Sequence, residues 1–146
     1  MNINKFTEKA QEAIAAAQEL AEEHHHTQME AEHLLSALIG QEEGVATSIL
    51  RKLGVDRVQV KRQLEDELER QPKAYGPVQI YLSGRLKQVL DTAEKEAGRL
   101  KDEYISTEHL LLALAEVDSD ARQVLSLAGV KGDELLAALE EHLGGT

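Results

Sequence analysis

Apolar residues recur along this chain at steps of three and four, the period of helices that bury one face. Phe6, Ala10, Ile14, Ala17 and Ala21 keep that spacing, and Leu86, Val89, Leu90, Ala93 and Ala97 keep it again later. Thr7 and Ser83 stand at the heads of these two series, where a hydroxyl oxygen accepts from the free amides of a helix start. Shorter apolar stretches predict helices over about 31–39 and 107–115, 45–53 and 120–128, and 56–69 and 132–143, with Leu64/Leu68 and Leu135/Leu136/Leu139/Leu143 on one side of the last pair. Gly54 and Gly129 close the middle pair, because glycine enters the left-handed conformation that ends many helices. No segment has the strict alternation of a half-buried strand, so the predicted fold class is all-α.

The two series belong to a duplication. At an offset of 76, Glu32-His33-Leu34-Leu35-Ser36-Ala37-Leu38 falls on Glu108-His109-Leu110-Leu111-Leu112-Ala113-Leu114, and Ala17 and Ala21 fall on Ala93 and Ala97. One deletion later, Ile49-Leu50 and Gly54-Val55 meet Val124-Leu125 and Gly129-Val130. The same order of helices, turns and breakers in both halves marks a repeat. The first four-helix repeat is read as residues 1–71, the linker as 72–81, and the second repeat with the start of a C-terminal linker as 82–146. Both prolines, Pro72 and Pro77, lie in that linker, where the preceding helix must stop. The expected architecture is two pseudo-twofold-related four-helix repeats packed into one compact domain, since neither apolar face is long enough to stand alone.

Composition narrows the function. Aromatic residues make up 3% of the chain, so leucine, isoleucine, valine and alanine must form the core, and cysteine is absent. The net charge of −11 disfavours nucleic acid, whose affinity comes from lysine and arginine neutralising phosphates. The longest apolar run, Leu110 to Ala115, is far short of the ~20 residues of a membrane span. With no apolar stretch behind Met1, no secretory signal is read, and a cytoplasmic address with no membrane partner is expected.

No phosphate-cradling, dinucleotide, zinc-protease, calcium-loop or nucleophile-elbow motif occurs, so no catalytic residue is assigned and the chain is expected not to be an enzyme. His24-His25-His26 raises a metal-binding alternative, set against a polar turn between helices. Adjacent residues do not share a helix face, and the equivalent Leu100-Lys101-Asp102 contains no such triplet. No metal site is therefore assigned. His33 and His109 read as packing and hydrogen-bonding groups. Glu32 and Glu108 sit in the first turn of a short helix, where a carboxylate is stabilised by the helix dipole. Placed beside the helix starts at Thr7 and Ser83, they would instead form pockets for a ligand carrying both charges.

Over nearly its whole length the chain resembles the N-terminal domain of Clp-type ATPases. The resemblance rests on Phe6-Thr7-Glu8-Lys9-Ala10-Gln11-Glu12-Ala13, on Glu32-His33-Leu34-Leu35, and on Gly44-Val45 with Leu53-Gly54-Val55. The stretch from Tyr81-Leu82-Ser83 through Lys101-Asp102-Glu103-Tyr104-Ile105-Ser106-Thr107-Glu108-His109-Leu110-Leu111 is most similar to the ClpB disaggregase branch. Ala31 departs from the pattern, since many relatives place proline there. The resemblance implies a recognition domain at the front of a homohexameric, ATP-driven chaperone that works with a DnaK-type system on unfolded or aggregated clients. ATP and magnesium would serve ATPase modules beyond residue 146, joined through Gly144-Gly145, and the isolated domain would be a monomer needing no cofactor. It implies functional roles for Thr7, Asp102 and Glu108, and client-binding positions at Leu90, Tyr104 and Ile105. The alternative is the N-domain of a ClpC-like unfoldase, in which Glu32 and Glu108, with Thr7 and Ser83, would recognise phosphoarginine tags or an adaptor.

Overall fold

The computed structural model describes residues 2–144, with side-chain surroundings through His142; the side chain of Leu143 and the Gly145 part of the expected tail lie outside the described residues. Among the described residues there are eight α-helices: α1 (Glu8–Glu23), α2 (Ala31–Gly40), α3 (Val45–Lys52), α4 (Arg57–Glu69), α5 (Gly84–Arg99), α6 (Thr107–Glu116), α7 (Asp120–Leu127) and α8 (Gly132–Gly144). The halves correspond helix by helix, as the repeat predicts. Ala10 N–H donates to Thr7 Oγ1 at 3.2 Å and Leu86 N–H donates to Ser83 Oγ at 3.0 Å, so α1 and α5 start on the two expected caps.

The helix ends repeat as well. His25 and Lys101 take positive φ (59° and 61°), and the next residues fold back, with His26 N–H on Ala21 O at 2.9 Å and Asp102 N–H on Ala97 O at 2.8 Å. Gly54 and Gly129 (φ 73° and 86°) close α3 and α7 the same way, through Val55 N–H on Leu50 O and Val130 N–H on Leu125 O. The carbonyls of Ile39, in the last turn of α2, and of Gln41, the residue that follows the helix, are taken up by the Arg57 guanidinium, which reaches Gln41 O at 2.7 Å.

The core runs unbroken through both halves. Leu34, Leu35 and Leu38 of α2 and Leu110, Leu111 and Leu114 of α6 are all at most 1% exposed, and α2 and α6 pack against each other at the centre. Each such leucine contributes roughly 1.5–3 kcal/mol by leaving water, which is why neither half's short helices need stand alone.

Two backbone crossovers join the halves, and periodicity gave no sign of them. Strand β1 (Gln28–Met29) pairs in parallel with β2 (Tyr81–Leu82), and Phe6 forms a parallel bridge with Ile105. Under the repeat, Phe6 corresponds to Leu82 and Ile105 to Met29, so the two contacts are one contact made twice. Thr7 N–H donates to Ile105 O at 2.9 Å, and Ser83 N–H donates to Met29 O at 3.1 Å. Each half thus fixes the start of the other's long helix.

Candidate functional site

The Phe6–Ile105 bridge sets α5 beside the N-terminal segment and leaves a cleft of about 150 Å³. Phe6, Leu82, Leu90 and Ile105 supply its apolar surface, and Lys87, Asp91 and Glu94 supply its rim. Glu94 is tied by Lys5, whose Nζ lies 3.2 Å from Oε2. Leu90 and Ile105 are buried, 6% and 4% exposed, so they form floor, whereas Leu82 (37%) stands open to solvent; Tyr104 (50%), the chain neighbour of Ile105, is exposed but does not line the cleft. Phe6 and Leu82 were not among the site residues expected from sequence. Their signal was present in the repeat, where they share one register position just before the cap.

A related cleft lies on α1, lined by Ile3, Gln11, Ile14, Ala15 and Gln18. Gln11, Ile14, Ala15 and Gln18 stand where the second half has Lys87, Leu90, Asp91 and Glu94. The apolar position is kept in both copies; the α5 cleft takes its charge from Lys87, Asp91 and Glu94, whereas the α1 cleft takes its charge from Glu8 and Glu12 at other positions.

The expected polar residues divide into three environments. Thr7 and Ser83 spend their hydroxyls on helix capping, as above. Glu32 is 6% exposed, and Gln71 Nε2 donates to its Oε2 at 3.0 Å. Burial first, then the neighbouring carboxylates of Glu30, Asp120 and Glu67, pushes its acid up to about 7. Glu108 keeps one buried oxygen, Oε1, without a hydrogen-bond partner among the described residues. Neither acid hydrogen-bonds a cap hydroxyl among the described residues, so a ligand bridging acid and helix start would have to join them itself.

Asp102 accepts from the buried His109, Oδ2 to Nε2 at 2.8 Å. Ser106 N–H donates to His109 Nδ1 at 2.9 Å, so the histidine closes the start of α6 as a capping-box partner. His33 does the same for α2 through Glu30 N–H at 2.8 Å. This gives a physical reason for the repeated histidine.

The histidine turn differs from the polar turn read from sequence. His24 Nδ1 lies 2.9 Å from Leu20 O, His25 packs on the Tyr75 ring, and His26 is 1% exposed with Nδ1 2.8 Å from His33 Nε2. The left-handed turn at His25 swings the next residue back under the helix, so His26 is buried by backbone geometry. The His24 and His26 rings stack at 5.4 Å while His25 turns to Tyr75, and no group of three or more potential metal-ligating side chains occurs among the described residues. No described helix is long and apolar enough to cross a membrane.

With this arrangement in place, the family is decided by a match of the Clp repeat (R) N-terminal domain model over residues 5–128. The chain belongs to the Clp N-terminal domain family. Chaperone protein ClpB of Rhodopirellula baltica is 40% identical over 97% of this chain, and ClpB 1 of Parasynechococcus marenigrum is 45% identical over 92%. In each case the matched part is 16% of the relative's length, so the chain spans about a sixth of these proteins. The Hsp104 N-terminal domain from Candida albicans superposes with a TM-score of 0.83 at 27% identity, covering 97% of this chain and 93% of that one. The ClpD N-terminal domain from Arabidopsis thaliana shares the fold, with a TM-score of 0.71 at 24% identity and coverage of 97% and 99%.

Proposed function

We propose that this Clp N-terminal domain recognises clients for a ClpB-like, ATP-driven disaggregase by holding exposed apolar segments of unfolded or aggregated proteins in the cleft between its halves. The carrying observation is the apolar surface of Phe6, Leu82, Leu90 and Ile105, opening to solvent through Leu82, with the exposed Tyr104 one residue before Ile105 in the chain. Such a surface gains roughly 25 cal/mol per Å² buried and imposes little sequence requirement, which suits a binder of many clients. Its shallow rim holds few buried anchors, so binding is weak and reversible. The ClpB relatives support this reading. The parent protein's homohexamer and its DnaK-type partner belong to the same proposal, as does a cytoplasmic address.

A second reading, that of a ClpC-like domain taking phosphoarginine or an adaptor, draws on the unpartnered buried oxygen of Glu108. It is weaker at Glu32, because an acid with a pKa of about 7 is half protonated near neutral pH and a poor guanidinium partner. Parallel amide-shift titrations with a reduced, unfolded apolar client and with free phosphoarginine separate the two. Client shifts at Leu82, Leu90, Tyr104 and Ile105 support the first reading. Saturable phosphoarginine shifts at Glu32 and Glu108, with no client response, overturn it.

A further inference from the structure

A second groove lies away from the client cleft, between α4 of the first half and α7 of the second. It measures about 300 Å³, and Gln63, Asp66, Glu67, Asp120, Val124 and Leu127 line it. The repeat supplies its own comparison, because α3 and α8 make the equivalent contact on the opposite side. There Lys52 Nζ meets Glu141 Oε1 at 3.2 Å, tying the helices together. At the register offset of the third and fourth helices, Lys52 corresponds to Leu127 and Glu141 to Asp66. The ion pair is therefore gone from the α4–α7 side, and a leucine 72% exposed stands where the cation should be.

Three features meet in this groove. Leu127 carries apolar surface that nothing among the described residues covers. Asp66 and Asp120 have no salt-bridge partner among the described residues, while the groove's cation, Arg70, is engaged by Glu67 at 3.2 Å. Gln63 Oε1 is buried without a hydrogen-bond partner among the described residues. We propose that the α4–α7 groove is a second docking surface, for a basic amphipathic helix of a partner protein. An apolar side chain of that helix covers Leu127 and Val124, and lysines or arginines one turn away meet Asp66 and Asp120. Charge selects the occupant: an acidic or phosphorylated segment would meet Asp66, Glu67 and Asp120 against the single guanidinium of Arg70, which Glu67 already engages, and is repelled. This proposal is independent of the client cleft, with which the groove shares no residue.

The test uses two synthetic helical peptides, one with leucines on one face and lysines on the other, and one with glutamates replacing the lysines. Saturable amide shifts at Gln63, Gln123 and Leu127 are expected with the lysine peptide and not with the glutamate peptide. Leu127→Lys restores the missing ion pair to Asp66 and removes the apolar anchor, so it should weaken binding about tenfold or more. Leu127 is exposed, so this variant should fold normally. Asp66→Asn supplies a milder check and should weaken binding while reducing its salt dependence. Unchanged affinity in Leu127→Lys, equal binding of both peptides, or shifts confined to Leu82 and Ile105 would each overturn the proposal.

Discussion

His26 and Asp102 occupy one place in the two halves and give opposite partners to the same histidine. His26 Nδ1 lies 2.8 Å from His33 Nε2, and Asp102 Oδ2 lies 2.8 Å from His109 Nε2. Because Glu30 N–H donates to His33 Nδ1, the His33 proton sits on Nε2 and is donated to His26. A further proton on His26 Nδ1 would set two donors face to face.

Acid should therefore loosen the first half. Burial, then His26 and His24, lowers His33 to about 4, whereas an unfolded histidine titrates near 6.5. The folded state resists a proton that the unfolded state accepts. The contribution of His33 is present in full above pH 6.5 and is lost as pH falls toward 4, by about 3 kcal/mol at most. His24, Lys73 and Glu69 also face His26, and its pKa is lowered first by burial. His26→Asp copies the second half. It should raise the His33 pKa by about one to three units and flatten this dependence, read by NMR titration and by denaturation at pH 7 and pH 5.

Glu32 works against that trend. Its acid is raised to about 7 in the fold from 4.5, so the folded state holds a proton the unfolded state has released. Stability from this group falls as pH rises from about 4.5 to 7 and stays low above. Glu32→Gln keeps an amide for Gln71 and should stabilise the domain by roughly 1–2 kcal/mol at pH 8, with the gain vanishing near pH 4. Denaturant midpoints across that range check it, and only the two variants separate the opposing slopes.

Arg57→Ala should cost about 1.5–3 kcal/mol, since it strips a charged donor from the Ile39 and Gln41 carbonyls at the end of α2. Arg57→Lys should recover only part of this, because a single ammonium lacks the guanidinium fork that serves both oxygens. Thermal melts of the three proteins give the ranking.

Two glycines should respond with opposite sign. Gly129 holds φ 86° at the end of α7, so Gly129→Ala is strained and should lose about 1 kcal/mol. Gly98 is helical with open space around a new Cβ, and Gly98→Ala should gain up to about 0.5–1 kcal/mol. Urea unfolding of both variants under one condition decides.

Helices, caps and the duplication were legible because each rests on local chemistry: the spacing of Ala10, Ile14 and Ala17, the hydroxyls of Thr7 and Ser83, and the glycines at 54 and 129. The Met29–Leu82 and Phe6–Ile105 crossovers were not, since pieces two residues long carry no alternation. His26 was misread because three adjacent histidines look polar, and only the left-handed turn at His25 sends one of them inward. Arg57 was invisible for a related reason, as its work lies on carbonyls of another helix. Of the residues lining the cleft proposed for clients, Leu90 and Ile105 were expected from the family resemblance, whereas Leu82 came into view only when the backbone crossover placed it there.

The claim that this cleft captures apolar clients is tested most directly by comparing affinity for one unfolded apolar client between the unaltered domain and the double variant Leu82→Gln/Tyr104→Ala. Both side chains are exposed, so unfolding midpoints should stay close to those of the unaltered domain. The account predicts a loss of roughly tenfold in affinity, with the remaining shifts still centred on Leu90 and Ile105. Equal affinity in the two proteins at equal stability would contradict it.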